Sequence, residues 1–144
     1  MERPAGIRHL LKMIIWCIKP IIEGLTGSRI KAGSSIGPGF VVFNSFGVTM
    51  SSTTVIGENC TIYSGVFVAH KANDKNSGVP VIGNGVVLMS GCKVLGGVSV
   101  GDYAVIGANS VVLTDVPSAT IATGVPAKRF TQIKGVREAS HVRN

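Results

Sequence analysis

Thirteen positions set six residues apart, in three runs, all carry Ile, Leu, Val or Met. The runs are Ile30, Ile36, Val42; then Met50, Ile56, Ile62, Val68; then Ile82, Leu88, Val94, Val100, Ile106, Val112. Those four residue types make up 44 of the 144 residues, so chance would fill about four of the thirteen positions. A period of six is neither an amphipathic helix nor a long alternating strand. It suits a coil in which a short strand and a tight turn recur, the signature of a parallel β-helix. Glycine often follows the aliphatic residue, at Gly37, Gly57, Gly83, Gly101 and Gly107. A turn there needs either positive φ or close backbone approach.

Four residues after each aliphatic, the side chain is mostly small or β-branched: Ser34, Thr54, Cys60, Val66, Val86, Cys92, Val98, Ala104, Ser110. These form a second inward row, with Phe40 as the one bulky plug near the start. Nineteen glycines and 6% aromatic residues suit stacked turns better than a conventional packed domain. The length makes one domain, whose coils touch only their neighbours, so its ends need caps and its flat faces invite other subunits. Cys17, Cys60 and Cys92 show no metal-ligand spacing and read as reduced thiols, two of them in the inward row. Without a cleavable signal sequence, the expected compartment is the cytoplasm.

Residues 5 to 27 differ in kind. Ile7, Leu10, Leu11, Ile14, Ile15 and Ile18 fall at helical spacing, with Arg8, Lys12 and Lys19 elsewhere. Pro20 is expected to end or kink that helix, with a second short turn to Gly24. Charge interrupts the stretch too often for a bilayer span. Two readings stand: a cap packed on the first coil or a neighbouring subunit, and an interfacial helix at the inner face of an anionic membrane.

The two breaks in the rhythm are where chemistry can be placed. Val42 to Met50 is eight residues instead of six, VFNSFGVT, and the two extra residues bulge the coil and turn side chains outward. Val68 to Ile82 is fourteen, inserting a polar loop, AHKANDKNSGVPV, that holds His70, the only histidine within the repeats. His70 reads either as a solvated loop histidine or as a general base, since imidazole as a class titrates near neutrality. Asp74 is close enough in sequence to orient it.

The repeat, the loop and above all the ending VIGNGVVLMSGCKVLGGVSVGDYAVIGANSVVLTDVPSATIATGVPAKRF resemble the hexapeptide-repeat acyltransferases, nearest the serine acetyltransferase branch and its polysaccharide O-acetyltransferase relatives. The resemblance covers roughly residues 30 to 130. It implies an all-β, left-handed parallel β-helix, against the usual handedness of parallel crossovers, with a short N-terminal helical segment. It also implies a homotrimer with sites between subunits and acetyl-CoA as donor, with no metal. Residues 1–28 are then a helical cap, 29–127 the β-helix with a protruding loop at 69–81, and 128–144 a basic tail.

In that family the acceptor's proton goes to a base and backbone N–H groups hold the oxyanion. Ser90 and Ala108 match positions on the CoA groove. They are eighteen residues apart, one full turn of three hexads, so the spacing by itself stacks them at one corner. Thr114 and Lys128 match positions at the adenosine end. Lys128 and Arg129, followed by Lys134, Arg137 and Arg143 against the single acid Glu138, suit a polyanion. Nucleic acid is a poorer partner, because the tail has no recognised fold and few aromatics. A three-histidine metal site across subunits is poorly supplied by one repeat histidine.

Two family positions differ. Where the serine acetyltransferase branch has an Asp-His pair in the first break, this chain has Phe43 and Asn44, and a second family histidine corresponds to Val79 before Pro80. Asn cannot be a general base, although its amide can hold a hydroxyl or an oxyanion. His70 as the replacement base, Asn44 as an introduced substitute for a native histidine, and a relative that binds without turnover all fit. The expected activity is acetyl-CoA-dependent O-acetyl transfer to a sugar or polysaccharide intermediate. The alternatives are serine O-acetyl transfer and a catalytically impaired trimeric CoA binder.

Overall fold

A computed structural model describes residues 5–31, 33–70 and 78–132. After a helix, α1 (Ala5–Thr26), the chain winds through fourteen short strands that recur every six residues except at the two breaks and before the last. The first coil carries β1 (Arg29–Ile30), β2 (Ser35–Ile36) and β3 (Val41–Val42), and the second β4 (Thr49–Met50), β5 (Val55–Ile56) and β6 (Thr61–Ile62). The third carries β7 (Phe67–Ala69), β8 (Val81–Ile82) and β9 (Val87–Leu88), and the fourth β10 (Lys93–Leu95), β11 (Ser99–Val100) and β12 (Val105–Ile106). The last coil has β13 (Val111–Val112) and β14 (Thr120–Thr123), after which β15 (Lys128–Gln132) turns back.

Strands from equivalent places in successive coils pair in parallel, giving three faces: β1-β4-β7-β10-β13, β2-β5-β8-β11, and β3-β6-β9-β12-β14. We call these faces one, two and three. The hexad residues are the register. Ile30, Met50, Val68, Val94 and Val112 stack on face one. Ile36, Ile56, Ile82 and Val100 stack on face two, where Val116 continues the column through an isolated bridge. Val42, Ile62, Leu88, Ile106 and Ala122 stack on face three. Each fully buried aliphatic side chain is worth about 1.5–3 kcal/mol of transfer from water, and the columns from Met50 to Val112 are almost fully buried. The second inward row is Thr54, Cys60, Val66, Val86, Cys92, Val98, Ala104 and Ser110, all buried, and Phe40 packs against the core at its start. Where the breaks shift the count, Val48 and Pro80 take the inward place.

The glycines after the aliphatic residue resolve in favour of close approach. Gly37, Gly57, Gly83 and Gly101 stack under one another with no positive φ, and a Cβ on Gly57 would lie 2.7 Å from the backbone of Gly83. Positive φ falls elsewhere, mostly at the turns beside face three. One column is Gly39, Asn59, Gly85, Tyr103 and Ala119, and the other is Gly27, Gly47, Gly65, Gly91 and Asn109.

Of the two effects expected of Pro20, the ending of the helix is overturned. The helix runs through Pro20 to Thr26 without a break. Pro20 removes one N–H, and the carbonyl left without its helical partner is that of Trp16. The helix ends at Gly27, whose φ of 64° and N–H to the Glu23 carbonyl (2.9 Å) form a left-handed cap. Among the described residues no helix is long and apolar enough to cross a membrane. Nor does α1 seal the first coil, since Ile30 and Ile36 remain 41% and 36% exposed while Ile56 and Ile82 below them are 2% exposed.

Candidate active site

The two breaks lie at different corners. Residues 43–47 join face three of the first coil to face one of the second, at what we call the three-one corner. The long insertion joins face one to face two, at the one-two corner. Asn44 sits in the first break with φ 54°, exposed, and its carbonyl accepts the N–H of Phe46 at 2.8 Å. Side chains around it do turn outward, with Phe43 and Phe46 both exposed. Ser28 pins the break: its hydroxyl bonds the Ser45 carbonyl and accepts the Val48 N–H at 3.1 Å. Gly47 is held by the Thr26 carbonyl at 2.9 Å. The ring of Phe43 stacks on Tyr63 of the next coil, centroids 5.3 Å apart and 16° from parallel.

His70 is exposed and directly follows β7, at the foot of the long loop. Asn44 and His70 therefore stand at opposite ends of face one, and one chain does not bring them together. Asp74 lies outside the described residues. Val79, half-buried, precedes Pro80, which is buried and whose carbonyl accepts the Val55 N–H at 3.3 Å.

The predicted groove residues divide the same way. Ser90 and Ala108 do stack at the three-one corner, where the Asn109 N–H donates to the Ser90 carbonyl at 2.9 Å, as the Gly91 N–H does to Ser64 and the Gly65 N–H to Phe46. Both are exposed, so the column offers backbone with little side-chain bulk above it. Thr114, also exposed, follows face one and belongs to the one-two corner with His70. Lys128 is exposed and lies opposite Thr123 in the antiparallel β14-β15 pair, and Arg129 lies opposite Ala122. The residues expected to open a basic tail are thus strand. Lys134, Arg137, Glu138, His141 and Arg143 lie outside the described residues.

Lys93 is a residue that sequence reasoning passed over. It is exposed on β10, immediately beyond the three-one corner, with Nζ donating to the Gly91 carbonyl at 3.3 Å. With Lys128 it gives that corner two cations near the small-residue column. Counting hexads in threes from Ile30 would have revealed it. The core thiols play no part: burial pushes Cys92 up to about 12, and burial also raises Cys60. Among the described residues no three His, Cys, Asp or Glu side chains gather as a metal site.

The family described as bacterial transferase hexapeptide (six repeats) matches residues 80–114. A serine acetyltransferase of Helicobacter pylori is 43% identical over 108 residues, covering 75% of this chain and 63% of the relative. A serine acetyltransferase of Staphylococcus aureus is 38% identical over 120 residues, covering 83% of this chain and 56% of the relative. Among solved structures, the Neisseria gonorrhoeae serine acetyltransferase aligns with a TM-score of 0.78 at 28% identity, over 92% of this chain and 51% of that one. The Brucella abortus serine acetyltransferase in complex with coenzyme A aligns at 0.68 with 31% identity, over 70% and 40%. The chain thus spans between two fifths and two thirds of the length of these relatives. These likenesses favour the serine acetyltransferase alternative over the expected sugar acceptor. With its hexad register wound into the left-handed β-helix of those structures, the chain belongs to the hexapeptide-repeat acyltransferase family, on the side of its serine acetyltransferase branch.

Proposed function

We propose that the chain is an acetyl-CoA-dependent O-acetyltransferase of the serine acetyltransferase type, acting in the cytoplasm on a small hydroxyl compound of the serine class. The observation that carries this is the Ser90–Ala108 column at the three-one corner, flanked by Lys93 and Lys128. A pantetheine arm can lie along exposed backbone there, and cations suit the phosphates. Similarity to serine acetyltransferases, one solved with coenzyme A, supports the donor.

The working unit is a homotrimer. Asn44 and His70 mark the two ends of one face, so no motion within the rigid coil joins them. A closed ring of copies sets one end of a face against the other end of its neighbour's. His70 of one copy is the base and the Asn44 amide of the next holds the acceptor. The imidazole takes the hydroxyl proton and the oxygen attacks the thioester carbonyl carbon. The C–S bond breaks, and the leaving thiolate recovers the proton from the imidazolium, giving an acetyl ester and CoA. Thr114, two coils on at the same corner as His70, and Lys128 with Arg129 contact the donor from the two corners.

A sugar-type acceptor is the second reading, favoured by one observation: the flat apolar face of exposed Phe43 beside Asn44. Release of CoA thiol from acetyl-CoA, followed with serine and with a panel of pyranosides, separates the two. His70→Ala is expected to lower kcat by about 10²–10⁴-fold. Unchanged turnover in that variant removes His70 from the mechanism. No thermal stabilisation by millimolar CoA and no thiol release with any acceptor would overturn the proposal as a whole.

A further inference from the structure

The first break is bordered by an arginine that the acetyltransferase reading leaves unused. Ser28 and Arg29 lie flat against its far end. The Ser28 hydroxyl bonds the Ser45 carbonyl and accepts the Val48 N–H at 3.1 Å, and the Arg29 N–H donates to the Val48 carbonyl at 2.7 Å. Arg29 opens β1, and the next residue, Ile30, takes the inward column. Arg29 therefore leaves from the outer surface of face one, at the end next to the three-one corner, and it is exposed. Among the described residues no carboxylate pairs with it, since the ion pair there is Lys19–Glu23 at 3.7 Å.

Arg29 is not a second phosphate contact for the donor. On face one it shares a register with Thr49, Phe67 and Lys93, so three strand steps part the two cations. At about 4.8 Å per step that is roughly 14 Å. Lys93 stands beside the Ser90–Ala108 column, whereas Arg29 stands at the end that carries Asn44.

The described acids are engaged or lie elsewhere. Residues 42–50 carry no charge. Glu58 and Asp102 lie where face two passes to face three, and Asp102 Oδ1 accepts the Asn84 N–H at 2.7 Å. Asp115 shares the one-two corner with the exposed Lys31, and its Oδ1 accepts the Ser99 N–H at 2.7 Å. Glu23 is held by Lys19. The long loop of a neighbouring copy brings, in sequence, Lys71 and Lys75 against Asp74.

We infer that the acceptor is an anion, a hydroxyl compound bearing a carboxylate that the Arg29 guanidinium grips while the Asn44 amide holds the hydroxyl. The inference rests on the acetyltransferase reading and narrows its acceptor. The planar fork of guanidinium N–H donors matches the two oxygens of a carboxylate. An ammonium group finds no free acid beside the break among the described residues. A serine-class acceptor is thus read by its carboxylate and hydroxyl, and its amine is dispensable.

Thiol release from acetyl-CoA, measured with glycerate, glucuronate, serine and glycerol, tests this. One of the two hydroxy acids is expected to give the highest kcat/KM and glycerol the lowest. Arg29→Gln is expected to raise KM for the best anionic acceptor by about 10–100-fold, with KM for acetyl-CoA unchanged. Arg29→Lys, which keeps the charge but loses the fork, recovers part of that loss. Lys12→Gln removes an equal charge from an exposed position on α1 and is expected to change neither constant. Three results overturn the inference and leave the acetyltransferase reading standing: serine or glycerol preferred over both hydroxy acids, an unchanged acceptor KM in Arg29→Gln, or an equal rise in Lys12→Gln. Should no acceptor be acetylated, saturation-transfer NMR of glycerate with the CoA-loaded protein decides. Binding that is lost in Arg29→Gln sustains the anion site although the catalytic reading falls, and no binding overturns the inference as well.

Discussion

Gly57→Ala tests a close approach between successive coils. Gly57 lies between Gly37 and Gly83 on face two, and a methyl there would sit 2.7 Å from the Gly83 carbonyl carbon and oxygen. No rotamer relieves a Cβ contact with backbone, so the coils must part by about 0.7 Å to reach ordinary van der Waals separation. The Gly57 N–H donates to the Ile82 carbonyl at 2.8 Å, and the Gly83 N–H to Val100 at 2.8 Å. Opening the first of these by that amount ends it as a hydrogen bond. One or two lost ladder bonds at about 1 kcal/mol each, with the dispersion lost beside Ile56 and Ile82, total about 2–4 kcal/mol. The stiffer unfolded chain offsets about 0.4–1 kcal/mol. The net is a loss of about 1–3.5 kcal/mol, or a fall in Tm of about 2–14 °C. Gly24→Ala is the internal control: its Cβ meets nothing within 4 Å, and in a helix it should gain about 0.5–1 kcal/mol. Urea unfolding monitored by circular dichroism reads both. If Gly57→Ala unfolds within about 0.5 kcal/mol of the parent, close coil approach is not why glycine stands there.

Leu88→Ala removes a fully buried side chain between Ile62 and Ile106 on face three, and a cost of about 3–4 kcal/mol is expected in the same unfolding assay. Ala108→Leu adds bulk at an exposed position on the three-one corner. Unfolding should move by less than about 0.5 kcal/mol, while the KM for acetyl-CoA rises at least about tenfold, some 1.4 kcal/mol of donor binding. Unaltered donor affinity would take Ala108 off the groove. Native protein at pH 8 should yield Cys17, which is exposed, to a thiol reagent, with Cys60 and Cys92 appearing only on denaturation. Because burial holds Cys92 protonated to about 12 while the unfolded thiol ionises near 9, its stabilising effect is complete below pH 9. Above that pH it falls by about 1.4 kcal/mol per unit until pH 12. The difference in alkaline unfolding between parent and Cys92→Ala isolates this slope, and a parallel pair of curves would refute it.

The architecture was readable from the chain because its determinants are local and repeated. Thirteen aliphatic residues at one spacing state the register outright: Ile36 lies over Ile56 and Ile56 over Ile82 because nothing else buries all three. Stacking of Ser90 over Ala108 followed from the same count. Glycine was ambiguous, since the letter does not say whether a missing Cβ serves φ or proximity. Gly57 proved to need proximity, and Gly65 and Gly91, two columns away, positive φ.

Tertiary structure decided what the period does not encode. Pro20 stays inside α1 although it removes one helical hydrogen bond, which the letter alone does not announce. The two breaks read alike as interruptions, yet they open at different corners, and this parts Asn44 from His70 and puts His70 at the same corner as Thr114. A hexad repeat fixes the distance along the coil between two residues. Which of three faces they leave from, and which end of that face they crown, depends on how the coil closes on itself. The sequence by itself therefore determined the coil, its stacking and its inward rows, because each is set by neighbours one hexad or one coil away. The make-up of each corner, and the bare end that α1 leaves open over Ile30, were decided by the closed prism, because they depend on where three faces meet and where the stacking stops.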